Sequence, residues 1–281
     1  MRAIYVHGGV SGTPKAPVPL GGAVHAGMRS GSAIDAIQAA VMALEDDPAL
    51  NAGYGATLTR DGRIELDAGI AAGGHSGAVA GVRVRNPIVL ARRVLEDTPH
   101  VLIAGRGATL LGADLPVLED TTPEQRETWQ RGNRSGALAD EHYGDPDYVD
   151  TVGAVALDDS GRLAAGSSTG GVFGKLPGRV GDSPIFGAGF YASDLVAVVG
   201  TGVGELFIAT QASFRVAHLV ENGADPQTAC EQIVGFIAAR GPVAAAGLLA
   251  LDRDGRAGMA FRGGSWSVEG PDGPVEATRL A

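Results

Sequence analysis

Three places in the chain carry residue types and spacings that can do chemistry. The first is Thr151, at the point where a polar tract without periodicity gives way to an apolar run. Ahead of it lie His142-Tyr143-Gly144-Asp145-Pro146-Asp147, and behind it Val152-Gly153-Ala154-Val155-Ala156-Leu157. Such a run suits a buried strand, and on position alone a threonine at its start is an ordinary strand residue. The second is the pair Arg179 and Asp182, three apart in Gly178-Arg179-Val180-Gly181-Asp182-Ser183-Pro184. As a surface ion pair in a turn it would contribute little. As a pincer, its planar guanidinium matches a carboxylate and its carboxylate matches an ammonium, so the pair suits a free amino-acid end. The third is Thr201-Gly202-Val203-Gly204. There an apolar strand ends in a hydroxyl and unencumbered N–H groups, a layout suited to an oxyanion hole.

Other motifs fail on context. Gly166-Ser167-Ser168-Thr169-Gly170 fits G-x-S-x-G, but a nucleophile elbow must lead straight into a helix. Gly171, Gly174, Pro177 and Gly178 follow instead. Gly187-Ala188-Gly189-Phe190-Tyr191-Ala192 matches a loose dinucleotide fingerprint but precedes a strand, where a helix is required. Gly174-Lys175 lacks the leading glycine and the hydroxyl of a phosphate loop. The six histidines are scattered, so a catalytic zinc site is not expected and they read as surface or structural.

The elements that must position these residues are short. Ala3 to Val6 reads as a strand broken by Gly8-Gly9. A helix follows from about Ser32 to Asp46, then a turn-rich loop at Asn51-Ala52-Gly53-Tyr54-Gly55-Ala56. A hairpin pairs Thr57-Leu58-Thr59 with Arg63 to Leu66 across Asp61-Gly62. Gly77 to Val84 reads as a central strand, Asn86-Pro87 as the start of a helix to about Glu96, and Val101 to Ala104 as a strand or buried edge. Thr122-Pro123-Glu124-Gln125 is a capping box for a helix to about Arg131, and Gly132 to Asp150 has no structural signal. After Thr151 come strands at Val152 to Leu157 and Leu163 to Gly166, a strand at Val196 to Thr201, and one helix from Glu205 to Val220. A helix opened by Asp225-Pro226 and a hairpin of Ala244–Leu251 with Ala257–Phe261 follow. Hairpins interspersed with helix pairs predict an α+β fold of stacked, mostly antiparallel sheets covered by helices, in one domain of residues 1–281.

Composition excludes several functions. The 281 residues are 44% hydrophobic and 19% charged, enough for a sizeable core, and the net charge of -10 argues against nucleic acid and anionic membranes as partners. Cys230 is the only cysteine, so no internal disulfide forms, and its place in an amphipathic helix reads as a small buried thiol. The N-terminus lacks a long apolar region, and no run approaches the ~18 apolar residues of a membrane span. The expectation is a soluble, cytoplasmic protein.

In combination the motifs are specific. Thr151 to Asp158, Ala164 to Gly171, Lys175-Leu176-Pro177-Gly178-Arg179-Val180-Gly181-Asp182-Ser183-Pro184-Ile185 and Thr201-Gly202-Val203-Gly204-Glu205 resemble the plant-type (type III) L-asparaginase/isoaspartyl peptidase family. That family belongs to the N-terminal nucleophile hydrolases. His7-Gly8-Gly9, Leu50 to Gly55, Glu65-Leu66-Asp67-Ala68, Gly77 to Gly81 and Asn86-Pro87 extend the resemblance over nearly the whole chain, in order.

The resemblance implies a four-layer αββα sandwich and a precursor that cuts itself at Asp150–Thr151, giving an α subunit of residues 1–150 and a β subunit of residues 151–281. The freed α-amine of Thr151, with a reference pKa of ~7.7–8.0, would then serve as base for its own hydroxyl. Thr201 and the Gly202 N–H would hold the oxyanion. Arg179 would bind the substrate α-carboxylate and Asp182 its α-ammonium, with Gly202 and Gly204 lining the pocket. Thr169 would support Thr151, and Asn51 and the loop ending at Gly9 would lie close by. Substrates would be L-asparagine or β-aspartyl (isoaspartyl) peptides. No cofactor is implied beyond a structural sodium ion on backbone carbonyls of the Leu44 to Tyr54 loop. A dimer of αβ units is expected by resemblance. Three positions depart from the family pattern: Gly174 replaces an Asn, Ser167 a Thr, and Ala71-Ala72-Gly73-Gly74 lacks an Asp. Gly174 bears on pocket mobility and leaving-group preference. Two alternatives share the residues: an aspartylglucosaminidase-type enzyme with a sugar leaving group, and an uncleaved, non-catalytic binding relative.

Overall fold

A computed structural model describes residues 1–135, 151–241 and 245–281. The first part runs β1 (Ala3–Ser11), α1 (Gly21–Met28), α2 (Ala33–Glu45), β2 (Leu66–Ala72), β3 (His75–Val82), α3 (Pro87–Asp97), β4 (Leu102–Ala104), α4 (Gly105–Leu111) and α5 (Pro123–Ser135). From Thr151 onward come β5 (Val152–Leu157), β6 (Leu163–Thr169), β7 (Phe190–Ala192), β8 (Val196–Gly202), α6 (Gly204–Thr210), α7 (Ala212–Glu221) and α8 (Pro226–Ala238). The chain closes with β9 (Ala246–Asp252), β10 (Ala257–Arg262), β11 (Ser265–Gly270), β12 (Gly273–Pro274) and β13 (Thr278–Arg279).

Among the described residues two sheets result, ordered β12-β11-β1-β5-β6-β2-β3-β4 and β13-β10-β9-β8-β7. Pairing within them is antiparallel except at β3·β4 and β10·β13. The alternation of side chains along a strand decides the layering. On β5, Ala154 and Ala156 join Ile37 and Val41 of α2, while Val155 and Leu157 join Val199 and Leu249 of the other sheet. On β8, Val196 and Val198 face α7 and α8, while Ala197 and Val199 face β5 and β6. Each sheet is therefore apolar on both faces, and four layers follow: helices α1 to α3, two sheets, and helices α6 to α8. Burying each of these larger aliphatic side chains contributes about 1.5–3 kcal/mol. Close approach of the layers needs glycine at two points. A β-carbon on Gly69 would strike the Phe190 ring, and one on Gly166 would strike Ile37.

Several expectations need correction. The Thr57–Leu66 hairpin is a turn without strands. Thr59 N still donates to Arg63 O, but Leu58 O accepts from Gly174 and Arg60 N donates to Lys175 O, so this segment pairs with the loop after β6. The helix of Glu205–Val220 is two helices, broken at Gln211 with φ 50°. The break lets Ser213 and Phe214, in the first turn of α7, donate to Ala188 and Gly187 carbonyls. Asn86 occupies the cap position of α3 but makes no side-chain cap bond; the Glu45 carboxylate accepts from Ile88 N instead. Helix α5 runs on to Ser135, into the tract that carries no sequence signal. The rest of that tract, Asp150 included, and Ala244 at the head of the last hairpin lie outside the described residues. Helices α1 and α4 and strand β11 had no clear periodicity to announce them. The Cys230 thiol is buried in α8, as its helix pattern predicts.

Candidate active site

The register of the central strands sets the nucleophile corner. Val152 pairs with Ser168 across β5·β6, which leaves Thr151 and Thr169 opposite one another one step further along. Their hydroxyls meet at 3.2 Å, with Thr151 Oγ1 donating to Thr169. Thr169 Oγ1 also accepts from Gly171 N at 2.9 Å. A one-residue slip would send every side chain of β5 to the wrong layer, so the packing that buries Val155 and Leu157 also aligns this pair. Asn51 braces the same turn. Its Nδ2 donates to Gly171 O at 2.7 Å, its Oδ1 accepts from Thr57 N, and its carbonyl accepts from Gly170 N. Gly170 has no room for a β-carbon beside Asn51 Oδ1.

Among the described residues no carboxylate or imidazole hydrogen-bonds the Thr151 hydroxyl. His7 comes nearest to that role, since it pairs with Gly153 and its fully buried ring lies against the Thr151 backbone. Burial pushes its pKa down to about 3, with the Thr151 backbone offsetting this in part. An imidazole that weakly basic is a poor general base near neutral pH. Neither ring nitrogen makes a well-formed hydrogen bond among the described residues.

One cleft is lined by Thr151, Thr169, Gly171, Val172, Arg179, Gly181, Asp182, Ser183 and Gly202. Five of the residues singled out from sequence, Thr151, Thr169, Arg179, Asp182 and Gly202, thus share it with the charged pair's neighbour Gly181. Gly202 holds φ +153°, and a β-carbon there would strike Ala245 O and the Phe207 ring, so only glycine fits. Thr201 is fully buried beside it, and its Oγ1 accepts from Val10 N at 3.3 Å. Gly9 makes that contact reachable: β1 shifts register between His7 and Val10, and Gly9 takes φ +96° in the bulge.

The charged pair is not the free pincer that the sequence predicts. Arg179 is bound bidentately by Glu205, with Nε to Oε1 and Nη2 to Oε2 both at 3.0 Å. Its side chain is 9% exposed against 45% for Glu205. Asp182 is buried, and its Oδ2 has no hydrogen-bond partner among the described residues. Burial raises its pKa to about 7, the Arg179 charge offsets part of that, and Glu205 and Asp67 add to it. An orphaned, buried carboxylate oxygen in a cleft is a seat for a cation. Gly204 defines the gap between the two charges: Arg179 Nη2 and Asp182 Oδ1 each lie 2.9 Å from the point a Gly204 β-carbon would occupy.

Behind the clamp lies a layer that sequence reading passed over. Lys175 is 1% exposed, donates from Nζ to Glu65 O at 2.9 Å, and lies 3.9 Å from Asp67 Oδ2. Burial lowers the Lys175 pKa and raises that of Asp67, and each charge partly offsets the other's shift. Glu65 Oε2 accepts from Gly178 N, and Asp67 Oδ1 accepts from Gly81 N. These contacts tie the glycine-rich loop to the β2·β3 pair. An acidic residue inside the apolar strand Leu66–Ala72 was the available signal for Asp67. For Lys175 the signal was its being one of only two lysines.

A helix–sheet–sheet–helix sandwich that sets a strand-end threonine in one cleft with a charged Arg–Asp pair defines a narrow class. The chain belongs to the asparaginase family, whose model matches residues 20–269. It is 43% identical over 245 residues to a plant-type L-asparaginase of Pyrobaculum calidifontis, covering 84% of this chain and 82% of that one. It is 44% identical over 246 residues to an isoaspartyl peptidase of Escherichia coli, covering 82% and 76% respectively. A third relative, the plant-type L-asparaginase of Pyrococcus abyssi, is 40% identical over 288 residues, covering 92% and 93%.

Proposed function

We propose that the chain is a self-activating amidohydrolase that breaks the β-amide bond of L-asparagine or of isoaspartyl peptides, with Thr151 as nucleophile. The observation that carries this is one cleft lined at once by the Thr151–Thr169 hydroxyl pair and by Arg179 with Asp182. The names of the relatives, L-asparaginase and isoaspartyl peptidase, point the same way. Cleavage of Asp150–Thr151 turns the backbone nitrogen of Thr151 into a free amine, which supplies the base that the neutral His7 cannot.

That amine takes the hydroxyl proton as Oγ1 bonds to the substrate's β-carbonyl carbon. The tetrahedral oxyanion is met by the Gly202 N–H and the Thr201 hydroxyl; Thr201 Oγ1 already accepts from Val10 N, so its own proton is the one available to the oxyanion. The C–N bond breaks, the proton passes to the departing ammonia or peptide amine, and an ester on Thr151 remains. Water, deprotonated by the same amine, attacks the ester and releases aspartate, which restores the threonine. The clamp holds both α-groups throughout, which orients the β-carbonyl.

A sodium ion on backbone carbonyls of the Leu44–Tyr54 loop belongs to the same proposal. The residues fit it: a β-carbon on Gly55 would fall among the carbonyl oxygens of Asp47, Pro48 and Leu50, hard donors suited to a hard cation. Such an ion would stiffen the loop that carries Asn51. Pairing of two αβ units completes the proposal.

Mass spectrometry of the purified protein, with ammonia release from L-asparagine, tests the central claim. The expected result is two fragments, one ending at Asp150 and one starting at Thr151, and Thr151-dependent ammonia release. An uncut chain that hydrolyses neither asparagine nor an isoaspartyl dipeptide sinks it. Rates on asparagine, β-aspartyl-leucine and a glycosylated asparagine, measured side by side, assign the leaving group.

A further inference from the structure

Building on the amide-hydrolase function above, we propose that Glu205 is a specificity-determining residue: a resident counter-ion on Arg179 that makes the substrate's α-ammonium obligatory. Glu205 follows Thr201-Gly202-Val203-Gly204 directly, so the oxyanion segment and this carboxylate are one continuous piece of chain. It takes the Nε–Nη2 edge of the guanidinium in a bidentate pair at 3.0 Å. The opposite nitrogen, Nη1, lies beside Gly181, which lines the cleft. Glu205 therefore turns the unused end of the fork toward the substrate while cancelling its charge.

Charge balance then decides what binds. Above about pH 7, where Asp182 is ionised, Arg179 carries +1, Glu205 -1 and Asp182 -1, so the clamp has a surplus negative charge before any ligand arrives. An incoming α-carboxylate meets a guanidinium that is already neutralised, and alone it would deepen the surplus. A ligand that brings an α-ammonium cancels the surplus at the orphaned Asp182 Oδ2. Because Arg179 and Asp182 line the same narrow cleft with Gly181, both ligand charges must sit close together, as they do in an α-amino acid. A clamp made of Arg179 and Asp182 alone would be neutral and would hold a simple dicarboxylate half-amide far more readily. Glu205 carries this discrimination because its exposed carboxylate is not needed to fill the core: it is 45% exposed.

The test is calorimetric titration of the processed enzyme with L-aspartate and with succinate, which keeps both carboxylates and lacks the ammonium. Wild type, Glu205→Gln and Glu205→Asp are compared. Wild type is expected to prefer aspartate strongly. Glu205→Gln should narrow the aspartate-to-succinate ratio about tenfold, mainly by tightening succinate, as expected for removal of one charge near a partly buried site. Glu205→Asp, which keeps the charge, should restore most of the ratio. An unchanged ratio in Glu205→Gln overturns the inference. So does weakening of both ligands by the same factor, which would make Glu205 a scaffold for Arg179. If wild type binds neither ligand and releases no ammonia from asparagine, the proposed function falls as well. Asparagine turnover with an unchanged ratio overturns the role of Glu205 alone.

Discussion

On one side of the cleft, Thr151, Thr169, Gly171 and Asn51 meet through hydroxyls, an amide and backbone groups, held in place by the register of β5 and β6. On the other side Arg179, Asp182 and Glu205, backed by Lys175 and Asp67, crowd charges onto and beneath a glycine-rich loop. The first region is neutral and agrees with its surroundings, since Thr151 and Thr169 sit where the strands would put them anyway. The second opposes the fold that carries it, because burial works against the charge on Asp182, Asp67 and Lys175. Under the proposed function the difference separates two tasks. Chemistry needs a hydroxyl aligned to a fraction of an ångström, which a sheet delivers without strain. Recognition of a zwitterion needs charges stripped of water, which opposes stability.

If that division holds, changes at the hydroxyl corner should act on kcat and changes at the clamp on KM. The largest effect is expected for Thr151→Ala, which removes the attacking oxygen. Gel electrophoresis should show one uncut chain, and activity should fall by roughly four orders of magnitude or more; normal processing of that variant would refute the assignment. Thr201→Val keeps the shape and removes the hydroxyl. It should lower kcat about 10²-fold with little change in KM, as for loss of one oxyanion donor, read by steady-state kinetics on processed enzyme. At the clamp, Arg179→Lys cannot make the bidentate contact, and Gly204→Ala puts a methyl between the two charges. Each should raise KM about 10- to 100-fold while kcat moves less. Kinetics that barely change would remove Arg179 from the pocket.

The smallest effect sharpens the comparison through stability. Asp182 holds its proton up to about pH 7 in the folded chain, whereas an unfolded aspartate releases it near pH ~3.9. The folded state therefore binds the extra proton between those values, so stability falls as pH rises through that window and levels off above it. Asp182→Asn removes the titration. It should match wild type in Tm near pH 4 and exceed it by a few degrees at about pH 8, while binding of aspartate is lost. Glu45, raised to about 8 by burial, titrates alike in both proteins and cancels in the difference. Equal Tm shifts at both pH values would mean that Asp182 is not a source of stored strain.

Much of the fold was legible because it rests on local pattern. The continuous apolar runs at Val152–Leu157 and Val196–Thr201 mark strands buried on both faces, and of the cap candidates Ser30 or Ser32, Thr122 and Asp225, the structure uses Ser32, Thr122 and Asp225. Three turns of similar chemistry, Asp61-Gly62-Arg63, Ser160-Gly161-Arg162 and Asp254-Gly255-Arg256, show where this stops. Asp158 Oδ1 accepts from Ser160 and Arg162 N, and Asp252 Oδ1 from Asp254 and Arg256 N. The third turn instead uses Thr59 Oγ1 to accept from Arg63 N, and its flanks pair with the Gly174–Lys175 segment rather than with each other. Two of three similar turns close hairpins, and tertiary partners took the third.

What the chain alone determined is the residue set: a threonine heading an apolar strand, an Arg and an Asp three apart among glycines, and a Thr-Gly strand end, in an order that matches one family. These are local facts, set by side-chain alternation, caps and the few conformations that glycine permits. Only the tertiary structure decided that Arg179 answers to Glu205, that Asp182 keeps an unpartnered oxygen in the cleft, that His7 is too buried to be a base, and that Lys175 and Asp67 lie beneath the loop. All four depend on which water is removed and which distant group replaces it. Solvation is a property of the packed whole, and no stretch of sequence carries it.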